Sequence, residues 1–427
     1  MYGPIHGVPS PRCHLLIVND IDIARELYIK QFHNFPIRYS FWFGYSNINK
    51  ILFFMPANDD WKRIRSLITP AFTTGKLKRM IDPITQINAN FIGHLRKFSE
   101  SGEEFDIKKF TSAFSMDVIA RCAYGIEIDS LSQPDHPIVT NAKKIFGVDA
   151  SFSYIMCIMF PKIAEFFGLE MTDAKTVQYF DDLTFKIIEK RIESSTGKQN
   201  PDLIGLMIEN ANEMNGIVAK NDIPKGISKD EISAQGILFF IAGFDTTNAT
   251  LTHIFYYLIK HSEWQEKLYE ELSIVSDEEL DYEKLKELPI LNAIIDETLR
   301  LQPPLPVVDR ECIEPYRIES HGIDLPKNTM ISVQPYVIHR DPRYFKDPYE
   351  FKPERFLHKS KFNDNLAAYI PFGLGPRLCV GMRFALNELR LVLANFIINY
   401  KLAPNPDVKV SNQNVEYYRM HPNFIVA

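Results

Sequence analysis

The sequence lacks the features that mark several large classes of protein. Its 427 residues include five cysteines, few, widely spaced and odd in number, so they offer no disulfide framework and no CxxC zinc pattern. No apolar run approaches the ~20 residues needed to cross a bilayer, and the N-terminus has no signal-peptide pattern. The 48 basic and 54 acidic residues nearly cancel, which argues against a nucleic-acid-binding protein. The sequence therefore predicts a soluble protein of a reducing compartment.

What is present is an ordinary globular composition with helical periodicity. Hydrophobic residues make up 45% and aromatic residues 12%, which excludes collagen-like and disordered chains. Apolar spacing and capping signals predict helices over residues 20–32, 59–68, 76–98, 110–123, 171–194, 228–260, 262–274, 288–301 and 380–400. Strand-like runs occur only at 316–319, at 330–333 and near the C-terminus. We therefore predict one mainly α domain with small β-sheets, in which residues 335–372 form an ordered meander.

Residues 372–381, Phe-Gly-Leu-Gly-Pro-Arg-Leu-Cys-Val-Gly, are the most informative stretch. The glycines let the backbone approach a ligand closely, and Cys379 stands at a predicted helix start, where free amides favour a thiolate. Arg377 can turn to meet an anion. A thiolate beside such an arginine suits an axial haem ligand with a carboxylate clamp. The alternative is a buried structural cysteine in a glycine turn, which this combination of residues outweighs.

A second motif, Ala-Gly-Phe-Asp-Thr-Thr, lies at 242–247, midway along the longest predicted helix. Its small residues are expected to weaken the helix locally, so that a ligand or water can reach the backbone. Asp245 and Thr246 supply an acid and a neighbouring hydroxyl, the groups needed to move a proton. By itself the motif is better explained as a polar helix face with helix-bonded threonines.

Two further residue pairs share helix faces. Glu297 and Arg300 are three residues apart, as in a surface ion pair. Trp61 and Arg65 are four residues apart, as in an amphipathic helix with a snorkelling arginine. Neither pair indicates a function when it is taken alone.

Together these motifs resemble the cytochrome P-450 family of haem-thiolate monooxygenases. Residues 372–381 match every position of the Phe-x-x-Gly-x-Arg-x-Cys-x-Gly signature, and the other motifs follow in the family's order. The resemblance runs from about Pro4 to the end. Residues 60–67, 75–78, 339–342 and 381–385 look closest to animal microsomal family-three enzymes and their invertebrate relatives. Such enzymes open with a membrane anchor, which we expect this chain to lack.

The resemblance implies a fold and roles for individual residues. Residues 1–427 are expected to form one catalytic domain, with haem between the long central helix and the cysteine loop with the final helix. Cys379 is the implied axial ligand of the haem iron, while Asp245 and Thr246 are the implied catalytic pair. The implied structural triad is Glu297, Arg300 and Arg355. The implied haem-binding residues are Cys379, Arg377, Trp61, Arg65, Arg310, Phe372, Gly373 and Gly381. His339 has an implied structural or haem-edge role.

The activity implied is monooxygenation, with haem b as cofactor. O₂ and two electrons, which a flavin reductase takes from NADPH, are used to hydroxylate a lipophilic xenobiotic, steroid or fatty acid; cytochrome b5 is an optional second donor. The expected location is the cytosolic face of the endoplasmic reticulum. The basic residues expected to meet the reductase are Lys62, Arg63, Lys76, Lys78, Arg79 and Arg383. Residues 239–242 and 305–308 are expected to border the substrate pocket, and 41–45 and 152–167 to cap it, the last segment also touching the membrane surface.

Three alternatives remain open at this point. A haem-thiolate isomerase or dehydratase has the same fold and needs no reductase, although the acid–threonine pair argues against it. A decayed paralogue binds haem without turnover. A cysteine hydrolase needs a histidine near Cys379, and the nearest upstream one, His358, is 21 residues away.

Overall fold

The computed structural model describes residues 3–9, 13–38, 44, 47–101, 105–146, 152–193, 202–214, 226–275, 282–357, 366–404 and 423–426. They form a mainly α domain with small sheets, as predicted. The helices are α1 (Ile21–Arg25), α2 (Asp59–Ile68), α3 (Thr74–Lys78), α4 (Ile81–Ser101), α5 (Ile107–Tyr124), α6 (Pro137–Phe146), α7 (Phe152–Met159), α8 (Pro161–Phe166), α9 (Ala174–Glu193), α10 (Leu203–Met214), α11 (Lys229–Lys260), α12 (Ser262–Ser273), α13 (Tyr282–Glu287), α14 (Pro289–Leu301), α15 (Pro335–Ile338), α16 (Glu354–Leu357) and α17 (Met382–Asn399).

The strands form three sheets. They are β1 (Ile5–Val8), β2 (Leu15–Val18), β3 (Phe105–Asp106), β4 (Val308–Glu311), β5 (Tyr316–Ile318), β6 (Ile323–Leu325), β7 (Met330–Val333), β8 (Leu402–Pro404) and β9 (Asn423–Val426). The largest sheet has the order β1-β2-β7-β4, the second β3-β9-β8, and the third pairs β5 with β6.

The prediction that strands occur only late in the chain is wrong. Strands β1 and β2 lie near the N-terminus, and β2 runs parallel to β7 with Leu15 opposite Met330. Each N-terminal strand has only four residues, too few to show a clear alternation. Their stability comes from a partner more than 300 residues away, which a local pattern cannot reveal.

The helix predictions hold for the long periodic segments and fail at breaks. Helix α2 has the predicted bounds. The predicted helix at 76–98 is instead α3 and α4, separated at Arg79 and Met80. The predicted helix at 20–32 becomes α1 followed by a π-helix, Glu26–Lys30. Helices α6 and α10 were not predicted.

Helix α11 passes through the centre of the domain and packs on α5, α9, α14 and α17. The predicted capping box is confirmed, because Ser228 and Glu231 cap each other's backbone amides. A Cβ on Gly243 would lie 2.3 Å from the Ile119 side chain of α5. Gly243 therefore allows the two helices to cross closely. Helix α11 is continuous through the motif, and the expected local weakening remains a prediction.

The cysteine loop lies between two apolar cores. The larger core surrounds α5, α11, α14 and α17, and Phe372 and Val380 pack against it. The smaller core lies between α1 and the largest sheet, and Leu374 packs against that one. The loop that carries Cys379 is therefore fixed by both halves of the domain. In the part of the chain described above, no helix is long and apolar enough to span a membrane.

Candidate active site

Cys379 lies in the loop that leads into α17. Its side chain is accessible to solvent although protein encloses it on most sides, so it faces an internal cleft. The Cys379 amide donates to the carbonyl of Phe372 at 3.0 Å, which closes the loop. Burial raises the pKa of the thiol, while the amides of Gly381 and Met382 and the guanidinium of Arg65 act to lower it. A bound metal ion would remove the remaining proton.

Two glycines give this loop its shape. Gly373 and Gly375 have φ angles of +85° and +68°, in the left-handed region that other residues avoid. A Cβ on Gly375 would also lie 2.3 Å from the carbonyl oxygen of Tyr28 in the π-helix. Glycine at 375 is therefore required both by backbone conformation and by this close contact.

Four arginines cluster beside Cys379: Arg38, Arg65, Arg310 and Arg377. Within the described parts of the chain, none of them forms an ion pair with a carboxylate. Burial and the neighbouring arginines lower the pKa of Arg377 to about 9 and lower that of Arg38. Asp309 is an acidic neighbour, but burial raises the pKa of its carboxyl, which weakens it as a counter-charge. The cluster is therefore a buried, uncompensated positive charge.

Backbone carbonyls hold these guanidinium groups. Arg377 donates to Pro36 at 2.9 Å, and Arg65 donates to the carbonyl of Leu378 at 2.8 Å. The Nε atoms of Arg38 and Arg310 are buried and have no hydrogen-bond partner among the described residues. Unpartnered buried donors are costly. Two such donors in a positive cluster fit a group that carries more than one negative charge.

The centre of α11 is accessible on one face only. Ala242 and Asp245 are exposed while Phe244 and Thr247 are buried, so the exposed strip faces a cleft. The Thr246 hydroxyl donates to the carbonyl of Ala242 at 2.6 Å. Although Asp245 is accessible to solvent, the surrounding protein partly desolvates its carboxyl and raises its pKa, against a smaller opposing effect of Lys108. The carboxyl therefore holds a proton more readily than a solvated aspartate.

Glu297, Arg300 and Arg355 meet away from this cleft. Arg300 binds Glu297 with two contacts of 2.7 Å, and neither side chain is exposed. Arg355 Nε approaches the same carboxylate at 3.3 Å. Arg300 also donates to the carbonyls of His339 and Pro348, each at 2.7 Å. The group connects α14 to the meander, and Glu297 neutralises the buried charge of Arg300.

His339 and Trp61 occupy different surroundings. His339 is fully buried, and burial lowers the pKa of its imidazole to about 3. One ring nitrogen is 3.0 Å from the Arg300 carbonyl, and the other accepts from the Ile370 amide at 2.8 Å. Both nitrogens are therefore used in holding the meander.

Trp61 is buried, with its ring centroid 4.9 Å from the Arg377 guanidinium carbon.

Comparison with known proteins agrees with this geometry. A sequence model described as Cytochrome P450 matches residues 1–424. Cytochrome P450 3A29 of Sus scrofa is 34% identical over 418 residues, which cover 96% of this chain and 81% of the relative. Cytochrome P450 3A7 of Homo sapiens is 32% identical over 416 residues, with the same shares covered. The chain belongs to the cytochrome P450 family.

A cytochrome P450 carries haem iron, and the residues present fit that group. Cys379 offers one soft ligand in an enclosed cleft, as a haem-thiolate centre requires. The arginine cluster can hold the two carboxylates of haem. Elsewhere among the described residues, no three His, Cys, Asp or Glu side chains come together to hold a metal ion. The fit rests on the unpartnered Nε atoms of Arg38 and Arg310.

Sequence reasoning on this cytochrome P450 missed Arg38. It stands two residues after Pro36, belongs to no motif and lies outside any helix, so no spacing links it to Arg65 or Arg377. Only the fold brings it to within 3.2 Å of the Arg377 carbonyl. The region 41–45, expected to cap the pocket, lies outside the described residues except for Gly44, and His358 lies outside them entirely.

Several basic residues expected on the reductase face already have partners. Arg63 contacts Glu231 at 2.5 Å, and its side chain is only 14% exposed, so it ties α2 to the start of α11. Each of the three lysines also contacts an acidic side chain: Lys62 contacts Asp59, Lys76 contacts Glu209 and Lys78 contacts Glu283. Arg79 and Arg383 are exposed.

Proposed function

We propose that the protein is a haem-thiolate monooxygenase with Cys379 as the axial ligand. The observation that carries this proposal is the uncompensated arginine cluster beside an enclosed cysteine. Buried cations without counter-ions are expensive, and a dianionic cofactor removes that cost. When bound, haem supplies the redox chemistry by which O₂ is activated.

The remaining work falls to residues of this chain. Asp245, with its raised pKa, holds a proton at the exposed face of α11. The Thr246 hydroxyl uses its own proton to bind the carbonyl of Ala242, which leaves its oxygen free to accept one from a neighbouring donor. The pair can therefore pass protons into the cleft, as monooxygenation requires.

The exposed apolar side chains after α14 support a lipophilic substrate. Leu305 and Val307 are 45% and 39% exposed, and they lie in the segment that leads from the end of α14 to β4. Together with Ala242 they are candidates for an apolar pocket wall, which suits a hydrophobic small molecule of the xenobiotic, steroid or fatty-acid class.

The decisive experiment is a reduced, carbon monoxide-bound difference spectrum of the haem-loaded chain. A strongly red-shifted Soret band is expected, and Cys379→Ala should abolish it. Cys312→Ala is the matched control. Cys312 is a buried cysteine whose thiol donates to the Glu314 carbonyl at 2.8 Å, so its replacement should leave the band intact. A wild-type band typical of histidine-ligated haem would refute the proposal.

Dependence on a reductase separates monooxygenation from the isomerase alternative. We propose that an NADPH-dependent flavin reductase docks near Cys379 through Arg79 and Arg383, which are exposed. Charge reversal at Arg383 should slow reduction by the reductase and weaken its salt dependence. Reversal at Lys162, on α8, is the control. Unchanged reduction kinetics in the Arg383 variant would refute this docking site, and turnover without reductase would favour an isomerase.

We also propose that α7 and α8 touch the cytosolic face of the endoplasmic reticulum membrane. The large apolar side chains exposed there are Phe152, Ile155, Phe160, Ile163, Phe166 and Phe167. Phe166 is 83% and Phe167 is 69% exposed, which is unusual for adjacent aromatic residues. Replacing both with serine should reduce binding to phosphatidylcholine vesicles. Unchanged vesicle binding would refute the contact.

A further inference from the structure

Tyr28 is a buried residue of the π-helix that contacts both the arginine cluster and the cysteine loop. It is only 1% exposed. Its hydroxyl lies 2.8 Å from the carbonyl of Val308 and 2.9 Å from that of Ile331. These carbonyls belong to the paired strands β4 and β7. The phenol therefore shares its single proton between two strands, which fixes the orientation of the ring.

The Tyr28 ring lies against Arg310. The guanidinium carbon is 4.9 Å from the ring centroid, and Arg310 is 1% exposed. Arg310 Nη1 donates to the Asp309 carbonyl, while Nε has no partner among the described residues. The negative face of an aromatic ring attracts a cation without neutralising it, and it does so more strongly when the pair is desolvated.

The π-helix explains why Tyr28 can reach both neighbours. The wide turn is closed by Gln31, whose amide donates to the Glu26 carbonyl at 2.9 Å. In this turn the Tyr28 side chain points to the sheet, while its carbonyl oxygen lies against Gly375 of the cysteine loop. π-turns are often found at functional sites. Through Tyr28, the position of Arg310 is coupled to that of the loop.

The same arrangement recurs in the cluster. The Arg38 guanidinium carbon is 3.8 Å from the centroid of the Phe53 ring, and that of Arg377 is 4.9 Å from the centroid of Trp61. Aromatic rings therefore stand where carboxylates would otherwise neutralise these arginines. This keeps the positive field available to an anionic ligand.

We propose that Tyr28 is a positioning residue that holds Arg310 in place to bind a carboxylate of haem. The inference rests on the proposed haem binding. The alternative is that Tyr28 only fills space between α1 and the sheet. The two differ in one respect: a positioning residue acts through Arg310, so its removal has no further effect once Arg310 is gone.

A double-mutant cycle on the haem-loaded full chain tests this. The variants are Tyr28→Leu, Arg310→Met and their combination; the measurements are the rate of haem transfer to excess apomyoglobin and the midpoint reduction potential. Each single variant should speed transfer, Tyr28→Leu by about tenfold if most of the ring contact is lost, and make the potential more negative. The double variant should transfer haem no faster than Arg310→Met. Tyr28→Phe, which keeps the ring, should have a smaller effect than Tyr28→Leu.

Tyr344→Leu is the matched control. The Tyr344 ring is 5.1 Å from Arg343, which Asp20 and Asp341 already neutralise, so haem transfer should not change. If Tyr28→Leu has no effect, or the same effect with and without Arg310, the inference is wrong. If Tyr28→Leu does not fold, Tyr28→Met replaces it in the cycle. A wild-type chain that takes up no haem would instead overturn the proposed function together with this inference.

Discussion

Arg300 and Arg310 are ten residues apart and equally buried, but only Arg300 has a carboxylate partner among the described residues. Arg300 has a bidentate contact with Glu297, and backbone carbonyls take up its other donors. Arg310 has an aromatic ring, one carbonyl and an unpartnered Nε. Desolvation is costly for both cations. The charge of Arg300 is neutralised by the protein itself. The charge of Arg310 is not, and it is therefore suited to binding a negatively charged ligand.

The largest expected change in stability comes from removing the charge of Glu297, which neutralises Arg300. Glu297→Gln keeps the shape of the side chain but leaves Arg300 as a buried cation without a counter-charge. The free energy of unfolding should fall by ~3–5 kcal/mol, measured by urea denaturation. Glu319→Gln is the control, because Glu319 pairs with an exposed arginine, Arg317, and its loss should leave the midpoint unchanged. Equal midpoints for both variants would contradict the assigned importance of the Glu297 charge.

Arg310→Met should have a smaller effect and a different sign. It removes an uncompensated buried cation, so the haem-free chain should be unchanged or up to ~2 kcal/mol more stable. Arg300→Met should destabilise the same chain, because it leaves Glu297 buried without its partner. Haem should leave the Arg310→Met protein faster than the wild type. If the haem-free Arg310→Met chain were as unstable as Arg300→Met, the proposed difference between the two arginines would be wrong.

A buried acid that pairs with no cation among the described residues provides a pH-dependent test. Burial raises the pKa of Asp117 to about 7, although the amide and hydroxyl of Ser130 act to lower it. Because the folded state binds this proton more tightly than the unfolded state, the stabilisation is complete below the ordinary pKa and is lost as the pH rises to about 7. Asp117→Asn should therefore gain stability relative to wild type as the pH rises from about 4.5 to about 7.5, because the wild-type protein loses the stabilisation from its bound proton over this range.

Asp129 provides the opposite sign for this pH test. Burial acts to raise the pKa of its carboxyl, but hydrogen bonds from Ser132 and the contact with His94 lower it overall. Its contribution is therefore present at neutral pH and is lost as the pH falls through the lowered pKa. Asp129→Asn should therefore be less stable than wild type by a constant amount from about pH 4.5 to about pH 7.5, and this difference should shrink only below about pH 4. If the stability difference for Asp129→Asn changed with pH over this range as it does for Asp117→Asn, the role assigned to the Ser132 and His94 contacts would be wrong.

The local sequence pattern was sufficient to predict a structural feature wherever the residues that form it are close in sequence. The cysteine loop and the capping box of α11 are short motifs, so their composition could be interpreted directly. The close helix contact at Gly243 could not be predicted, because its neighbour, Ile119, lies on another helix. The partners of Arg63 were missed for the same reason, since Glu231 is 168 residues away.

The sequence by itself determined the family and the mainly helical class, and it pointed to Cys379 and to Arg65, Arg310 and Arg377, because these depend on residue type and on motifs. Only the tertiary structure decided which buried charges are balanced. It brought Glu297 to Arg300 and Arg355 but left Arg38 and Arg310 without a carboxylate partner. Balance depends on distances of a few ångströms between side chains, since electrostatic interaction falls steeply with separation and solvent exposure, and the folded chain alone sets those distances.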